Sequence, residues 1–139
     1  MSRSEGLSQW EQTVSRELPG LSRTQARVLA LWSFGMVLAQ SCGQSSVARV
    51  LALLLQKKYA AVRQQLREWC YDGADKRGRQ RSAVVVRSCF GPLLAWVLRW
   101  WPADERRLAL ALDASTLGER FTVLAVSVLY RGCAVPVVA

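Results

Sequence analysis

The apolar positions of this chain change their period once. Up to about residue 101 they recur every three or four residues, as on one face of a helix; from residue 108 they run unbroken or alternate, as in strands. A short helix around residues 6–17 ends at Pro19-Gly20. Ser22-x-x-Gln25 then fits a capping box, in which each side chain satisfies a free amide of the other residue. Behind it Ala26, Leu29, Ala30, Trp32, Val37 and Leu38 make a helix that is apolar most of the way round, with Cys42-Gly43 as its stop. Residues 28–48 hold no charge. Polar residues from Gln40 to Ser46 keep the unbroken apolar part well short of the ~20 residues of a membrane span, so a buried core helix is the better reading. Ser45 or Ser46 caps a helix over 47–56 with the face Val47, Val50, Leu51, Leu54 and Leu55, and Lys57-Lys58 suits its last turn. A helix over 59–71 turns Val62, Leu66, Trp69 and Cys70 inward, and Arg63 and Arg67 outward.

Residues 72–82 are the clearest loop, with Gly73, Gly78 and the cations Lys76, Arg77, Arg79 and Arg81. Residues 83–101 return to a helical pattern that Gly91-Pro92 should kink or split. Trp96, Trp100 and Trp101 crowd its end, and Trp100 and Trp101 read as packing residues rather than base-stacking ones. Residues 102–107 form a linker. Beyond it, 108–112 make a strand, apolar on both faces, that delivers Asp113 to a strand end. Phe121–Tyr130 is a second strand, Arg131-Gly132 a tight turn, and 133–138 a third strand that Pro136 confines to an edge. The strand order 3-2-1 leaves the Asp113 strand unpaired on its outer side. Native sheets avoid such an edge, so further strands are expected to belong there and the chain is read as cut short. The expected fold is therefore mixed α/β: an N-terminal segment (1–21), a basic, mainly α-helical domain (22–106), and the truncated start of a second domain (107–139) as an antiparallel three-strand meander.

Charge sharpens this division. The net charge is +9, and residues 108–139 carry two charges of each sign, so the whole excess lies before them. Ten basic residues face three acidic ones between Arg49 and Arg87. That concentration points to a polyanion, with nucleic acid ahead of a membrane surface. The basic loop, Lys76, Arg77, Arg79 and Arg81, is the candidate DNA contact. The chain has no histidine, which excludes Ser-His-Asp and Cys-His nucleophiles and His-containing metal sites. Cys42, Cys70, Cys89 and Cys133 form no CxxC pair and sit among apolar neighbours, so buried, reduced thiols are expected. The first residues have no apolar core of the kind a secretory signal needs. Asp113 has two readings. A two-sided apolar strand rarely ends in an uncompensated acid, which favours a catalytic origin; Asp113-x-Ser115-Thr116 could also close a turn.

The string LALALDASTLGERFTVLAVSVLYRGCAVPV, residues 108–137, resembles the DDE transposases of bacterial insertion sequences, in particular the large insertion-sequence-four type with its RNase-H-like catalytic fold. Ala-Ser-Thr stands where that family commonly has Asp-x-Thr. Residues 22–101 look, more loosely, like the helical N-terminal domain of such enzymes. The resemblance implies cut-and-paste DNA transposition by metal-dependent strand cleavage and transfer, in a cytoplasmic, nucleoid-associated protein. In the family three carboxylates hold two ions, Mg2+ or Mn2+, that activate the nucleophile and stabilise the leaving oxygen. Asp113 matches the first carboxylate and so is the catalytic and metal-binding candidate. The second Asp and the Glu have no counterpart in this chain, and Glu119 lies on the adjoining loop. The resemblance thus implies a catalytically incomplete transposase fragment that contacts double-stranded DNA at transposon ends. The alternative is a non-enzymatic helical module that binds DNA or regulates an intact transposase by self-association or pairing with it.

Overall fold

A computed structural model describes residues 2–78 and 82–138. Five helices precede a three-stranded antiparallel sheet: α1 Arg3–Glu17, α2 Arg23–Ala39, α3 Gln44–Leu55, α4 Tyr59–Trp69, a 3-10 turn Gly73–Asp75, α5 Arg87–Arg99, β1 Leu110–Leu117, β2 Phe121–Tyr130 and β3 Cys133–Val138. The chain divides into two units, Met1–Val84 and Val85–Ala139, so α5 groups with the strands.

In the first unit, the first two helix starts follow capping chemistry. Ser2 and Glu5 form a complete capping box, which extends α1 beyond the short helix its apolar pattern suggests. Ser22 and Gln25 form the second box at the expected place. Helix ends follow a signal the sequence pattern hides. Helix α2 stops at Ala39 with Gln40 in the left-handed region, and α3 stops at Leu55 with Gln56 likewise. The same pair of bonds closes both ends: Gln40 N to Val37 O and Ser41 N to Met36 O, Gln56 N to Leu53 O and Lys57 N to Ala52 O. This is the Schellman arrangement, made with glutamine where glycine is usual. Gly43 is consequently not the stop of α2 but the N-cap residue of α3, which begins before Ser45 and Ser46. Lys57 and Lys58 fall in the turn between α3 and α4 instead of the last turn of α3.

The core of this unit is Leu7, Val28, Leu31, Val47, Ala48, Leu51, Val62 and Leu66, with Trp32, Phe34 and Trp69 packed against it. Helices α2 and α3 touch at Gly35. A Cβ there would lie 2.7 Å from Val47 Cγ1 and 3.0 Å from Leu51 Cγ, closer than atoms of a packed interior approach. The absent side chain therefore sets how near α3 comes.

In the second unit the strands take the order β1-β2-β3, with β1 and β3 as edges. Arg131 and Gly132 both have positive φ, 46° and 80°, the geometry of the tight turn that matches strand twist. Pro136 lies on the edge strand opposite Ser127, where the register shifts. Three features differ from the sequence pattern. First, β1 runs through Asp113 to Leu117, because Ala114, Ser115 and Thr116 continue the ladder opposite Leu124, Val123 and Thr122; the chain turns only at Gly118, φ 62°. Second, the sheet is not covered on both faces. Leu110, Leu112, Leu117, Phe121 and Leu124 are exposed; α5 packs against β3, and the buried residues of the sheet are Val128 and Val137. Third, α5 passes through Pro92 unbroken. Pro92 forgoes one bond to the Ser88 carbonyl, and Gly91 before it has no Cβ to clash with the ring.

Trp101 stacks at 5.5 Å on Tyr130, whose hydroxyl donates to the Trp100 carbonyl at 3.1 Å. Trp100 itself is 68% exposed, so the packing role falls to Trp101. The cysteines are free and not buried: Cys42, Cys70 and Cys133 are exposed, and Cys89 is half-buried. Helix α4 ends at Trp69, two residues short of the expected end, and Cys70 is its exposed C-cap residue. Among the described residues no helix is long and apolar enough to cross a membrane.

Gly35→Ala should lower the thermal midpoint, with a loss of roughly 1–3 kcal/mol as Val47 and Leu51 are displaced. Gln40→Gly should raise it, with a gain of about 1 kcal/mol, because glycine adopts the left-handed cap without a Cβ penalty. Circular-dichroism melting of both variants checks the pair, and a stabilising Gly35→Ala would contradict the close approach.

Candidate functional site

The basic loop is built onto Gln25. As the third residue of α2, Gln25 receives the Ser22 hydroxyl cap on its own amide at 3.2 Å and accepts the Ser22 amide on Oε1 at 2.9 Å. Its Nε2 reaches across to the far end of the loop, donating to Ser82 Oγ and the Ala83 carbonyl, each at 3.2 Å. Its backbone carbonyl accepts the indole N–H of Trp69, at the end of α4, at 2.9 Å. Gln25 is 9% exposed, so these bonds replace the water it has lost.

Lys76 closes the loop from within. Its Nζ donates to the Ser82 carbonyl at 2.7 Å and to the Trp69 carbonyl at 3.3 Å. The loop's two ends are thus tied through a lysine whose charge is spent on backbone oxygens. Arg77 lies 3.8 Å from Glu68 Oε1, which also accepts from Gln64 at 2.8 Å. A cleft of ≈ 120 Å³ opens here between Gln25, Gln65, Glu68, Trp69, Lys76 and Arg77. Its cations already face a carboxylate and two carbonyls. Arg79 and Arg81, the other two candidate DNA contacts, lie outside the described residues.

A second basic surface lies where α3 meets α4. Arg49, Ala52, Leu53, Lys57 and Tyr59 line one groove. Arg63 and Arg67 follow Tyr59 at four-residue intervals along α4, so they continue its face. Arg49, Lys57, Lys58, Arg63 and Arg67 are all exposed, and none is ion-paired among the described residues. The sequence signal for this site is the four-residue spacing from Arg49 to Leu53 on α3 and on to Lys57 in the turn after it, and of Tyr59, Arg63 and Arg67 on α4. It is quieter than the density of arginine in the loop.

Asp113 occupies the fourth position of β1, opposite Ala125. Ser115, two residues on and on the same face, donates its hydroxyl to Asp113 Oδ2 at 3.1 Å. That bond is the local turn-like contact its spacing allows, made within a strand. Asp113 and Ser115 are exposed. Glu119 sits in the turn beyond Leu117, which is itself roughly 13 Å along the strand from Asp113 at about 3.3 Å per residue. Among the described residues no three His, Cys, Asp or Glu side chains come together as a metal site. The donor set around Asp113 (one carboxylate and one hydroxyl) does not fit the two-ion, three-carboxylate centre implied by the resemblance.

Comparisons with protein-family models, with curated proteins and with solved structures find no match to this chain.

Gln25→Ala should remove the cap and the tie to Ser82 together. The expected loss is about 2 kcal/mol, and trypsin should cut within residues 76–81 several-fold faster than in the parent chain. Unchanged cleavage would show that Lys76 alone holds the loop.

Proposed function

We propose that this chain acts as the DNA-contacting portion of a DDE transposase of the insertion-sequence-four type, catalytically incomplete by itself. What carries the reading is the partition of charge. The excess of +9 lies wholly before residue 108, in a sequence whose helical unit keeps several cations free at its surface. Phosphate recognition needs such cations, and a folded unit that pays to keep them unpaired has a polyanion as its natural complement. The string around Asp113 supplies the transposase part of the reading. A three-strand antiparallel meander that bears this acid on an edge strand is compatible with the opening of an RNase-H-like sheet. In this reading Asp113 is the first of three carboxylates, and Mg2+ or Mn2+ is bound only where the other two are present. The protein then works at the bacterial nucleoid.

The second reading is a regulatory module that pairs with an intact transposase. The outer edge of β1 is unpaired, and Leu110, Leu112 and Leu117 on it are exposed. An open edge flanked by apolar side chains favours strand addition.

The reading predicts that the purified chain binds duplex DNA with an affinity that falls steeply as salt rises, as counterion release requires. Addition of Mg2+ should give no nicking, and Asp113→Ala should leave the affinity unchanged. Fluorescence anisotropy with labelled duplex, alongside a nicking assay, measures both. Binding indifferent to salt would remove the DNA-contact function. Co-purification with an intact transposase that is lost when a proline replaces Ala114 would favour the second reading.

A further inference from the structure

We infer that the phosphate backbone of duplex DNA seats on the α3–α4 corner, across Arg49, Lys57, Lys58, Arg63 and Arg67, and not on the basic loop. The inference rests on the DNA-contact function proposed above and says which surface performs it.

Three observations carry it. The first is where the acids are. No Asp or Glu occurs between residues 18 and 67, so α2, α3 and the exposed arginines of α4 share a stretch without one negative side chain. The loop and its approach hold Glu68, Asp72 and Asp75, and Arg77 already sits against Glu68. A phosphate approaching the corner meets five cations with Glu68, beside Arg67, as the nearest acid in sequence, and that acid already faces Arg77; one approaching Lys76 and Arg77 meets cations partly neutralised at short range.

The second is availability. Lys76 cannot turn to a phosphate without releasing the Ser82 and Trp69 carbonyls that close the loop. Among the described residues the five corner cations have no such ion pairs to release. All five are exposed, and the order that binding must impose on them is on their own rotamers.

The third is shape. Arg49, Leu53, Lys57 and Tyr59 line one groove, and Arg63 follows Tyr59 one turn on along the same helix face. Four residues of helix advance about 6 Å, so Arg63 and Arg67 offer cations at an interval that can follow a strand. Lys58 is the N-cap residue of α4, where its carbonyl accepts from the amides of Ala61 and Val62 but its side chain can cap none, and it places a cation at the positive end of the helix. A phosphate at that point relieves both. Tyr59 is the aromatic residue of the groove, and one ring is not the series of stacking platforms that single strands use. The arrangement fits a duplex held by its backbone, without reading its bases.

The test uses the full chain and fluorescence anisotropy with a labelled duplex across a salt series. Arg63→Ala with Arg67→Ala should weaken binding at low salt by roughly tenfold or more and reduce the slope of log K against log salt by about 2, one unit for each phosphate no longer neutralised. Arg49→Ala with Lys57→Ala, on the other side of the groove, should do the same. Arg77→Ala with Arg79→Ala and Arg81→Ala should change affinity by less than about twofold by the same accounting. All substituted positions outside the loop are exposed, so melting curves should match the parent chain. If the loop variant loses binding and both corner variants keep it, the corner is overturned while the DNA-contact function stands. If the parent chain shows no salt-dependent DNA binding, both fall. If the corner variants lose binding to phosphatidylserine vesicles while the parent ignores DNA, the surface serves a membrane and the inference is wrong.

Discussion

One buried amide holds the helical unit to its loop. Gln25 caps α2, receives Trp69 from α4 and anchors Ser82 and Ala83 beyond the loop, and it does so while almost wholly removed from solvent. A buried glutamine with its partners taken away costs about 1–3 kcal/mol for each group left unsatisfied. Its bonds therefore stand or fall as a set. Helix start, helix end and loop closure, which look independent along the chain, are coupled through one side chain. Trp69 extends the coupling, since its ring meets Trp32 edge-on at 6.5 Å and so joins the Gln25 network to the apolar core.

This coupling separates two kinds of cation. Lys76 belongs to the network, and its ammonium replaces water at two backbone carbonyls. Arg77 belongs to it more loosely, through Glu68, with a side chain 86% exposed and an ion pair at 3.8 Å that solvent screens to little energetic worth. The cations of α3 and α4 lie outside it. A count of positive residues along the sequence treats all of these alike. Partner geometry divides them into those that build the fold and those that remain for something else to use.

The order of the elements was legible because period and capping are local. Ser22 and Gln25, the strand Phe121–Tyr130 and the turn at Arg131-Gly132 each announce themselves within a few residues. The helix ends were not. Gln40 and Gln56 adopt a conformation for which glycine is the usual marker, and Gly43 drew the boundary three residues too far. Pro92 misled for a related reason: whether a proline breaks a helix depends on what precedes it, and glycine removes the clash. At the candidate site, Lys76 was found by its neighbours in sequence, but its role was set by the carbonyls of Trp69 and Ser82. The tie from Gln25 to Ser82 spans 57 residues, and no pattern of period three or four contains it.

The exposed sheet constrains how Asp113 can ever work. Alternation along β1 puts Leu110 and Leu112 on one face, with Asp113, Ser115 and Leu117 on the other. Opposite them on β2, Leu124 shares the first face, and Ala125 and Phe121 the second. Apolar side chains of this size gain about 1.5–3 kcal/mol each when covered, so both faces favour a covering layer. On the first face nothing opposes it. On the second, a layer that extends from Leu117 and Phe121 over Ala125 also removes water from Asp113 opposite it. One serine hydroxyl at 3.1 Å does not replace that hydration, and an ionised carboxylate buried without a partner is among the costliest groups a fold can contain. Whatever lies over this face must therefore leave Asp113 a water channel or bring a cation to it. The same physical demand holds whether the covering layer is more of a catalytic domain, with its metal ions, or a partner chain with a basic side chain.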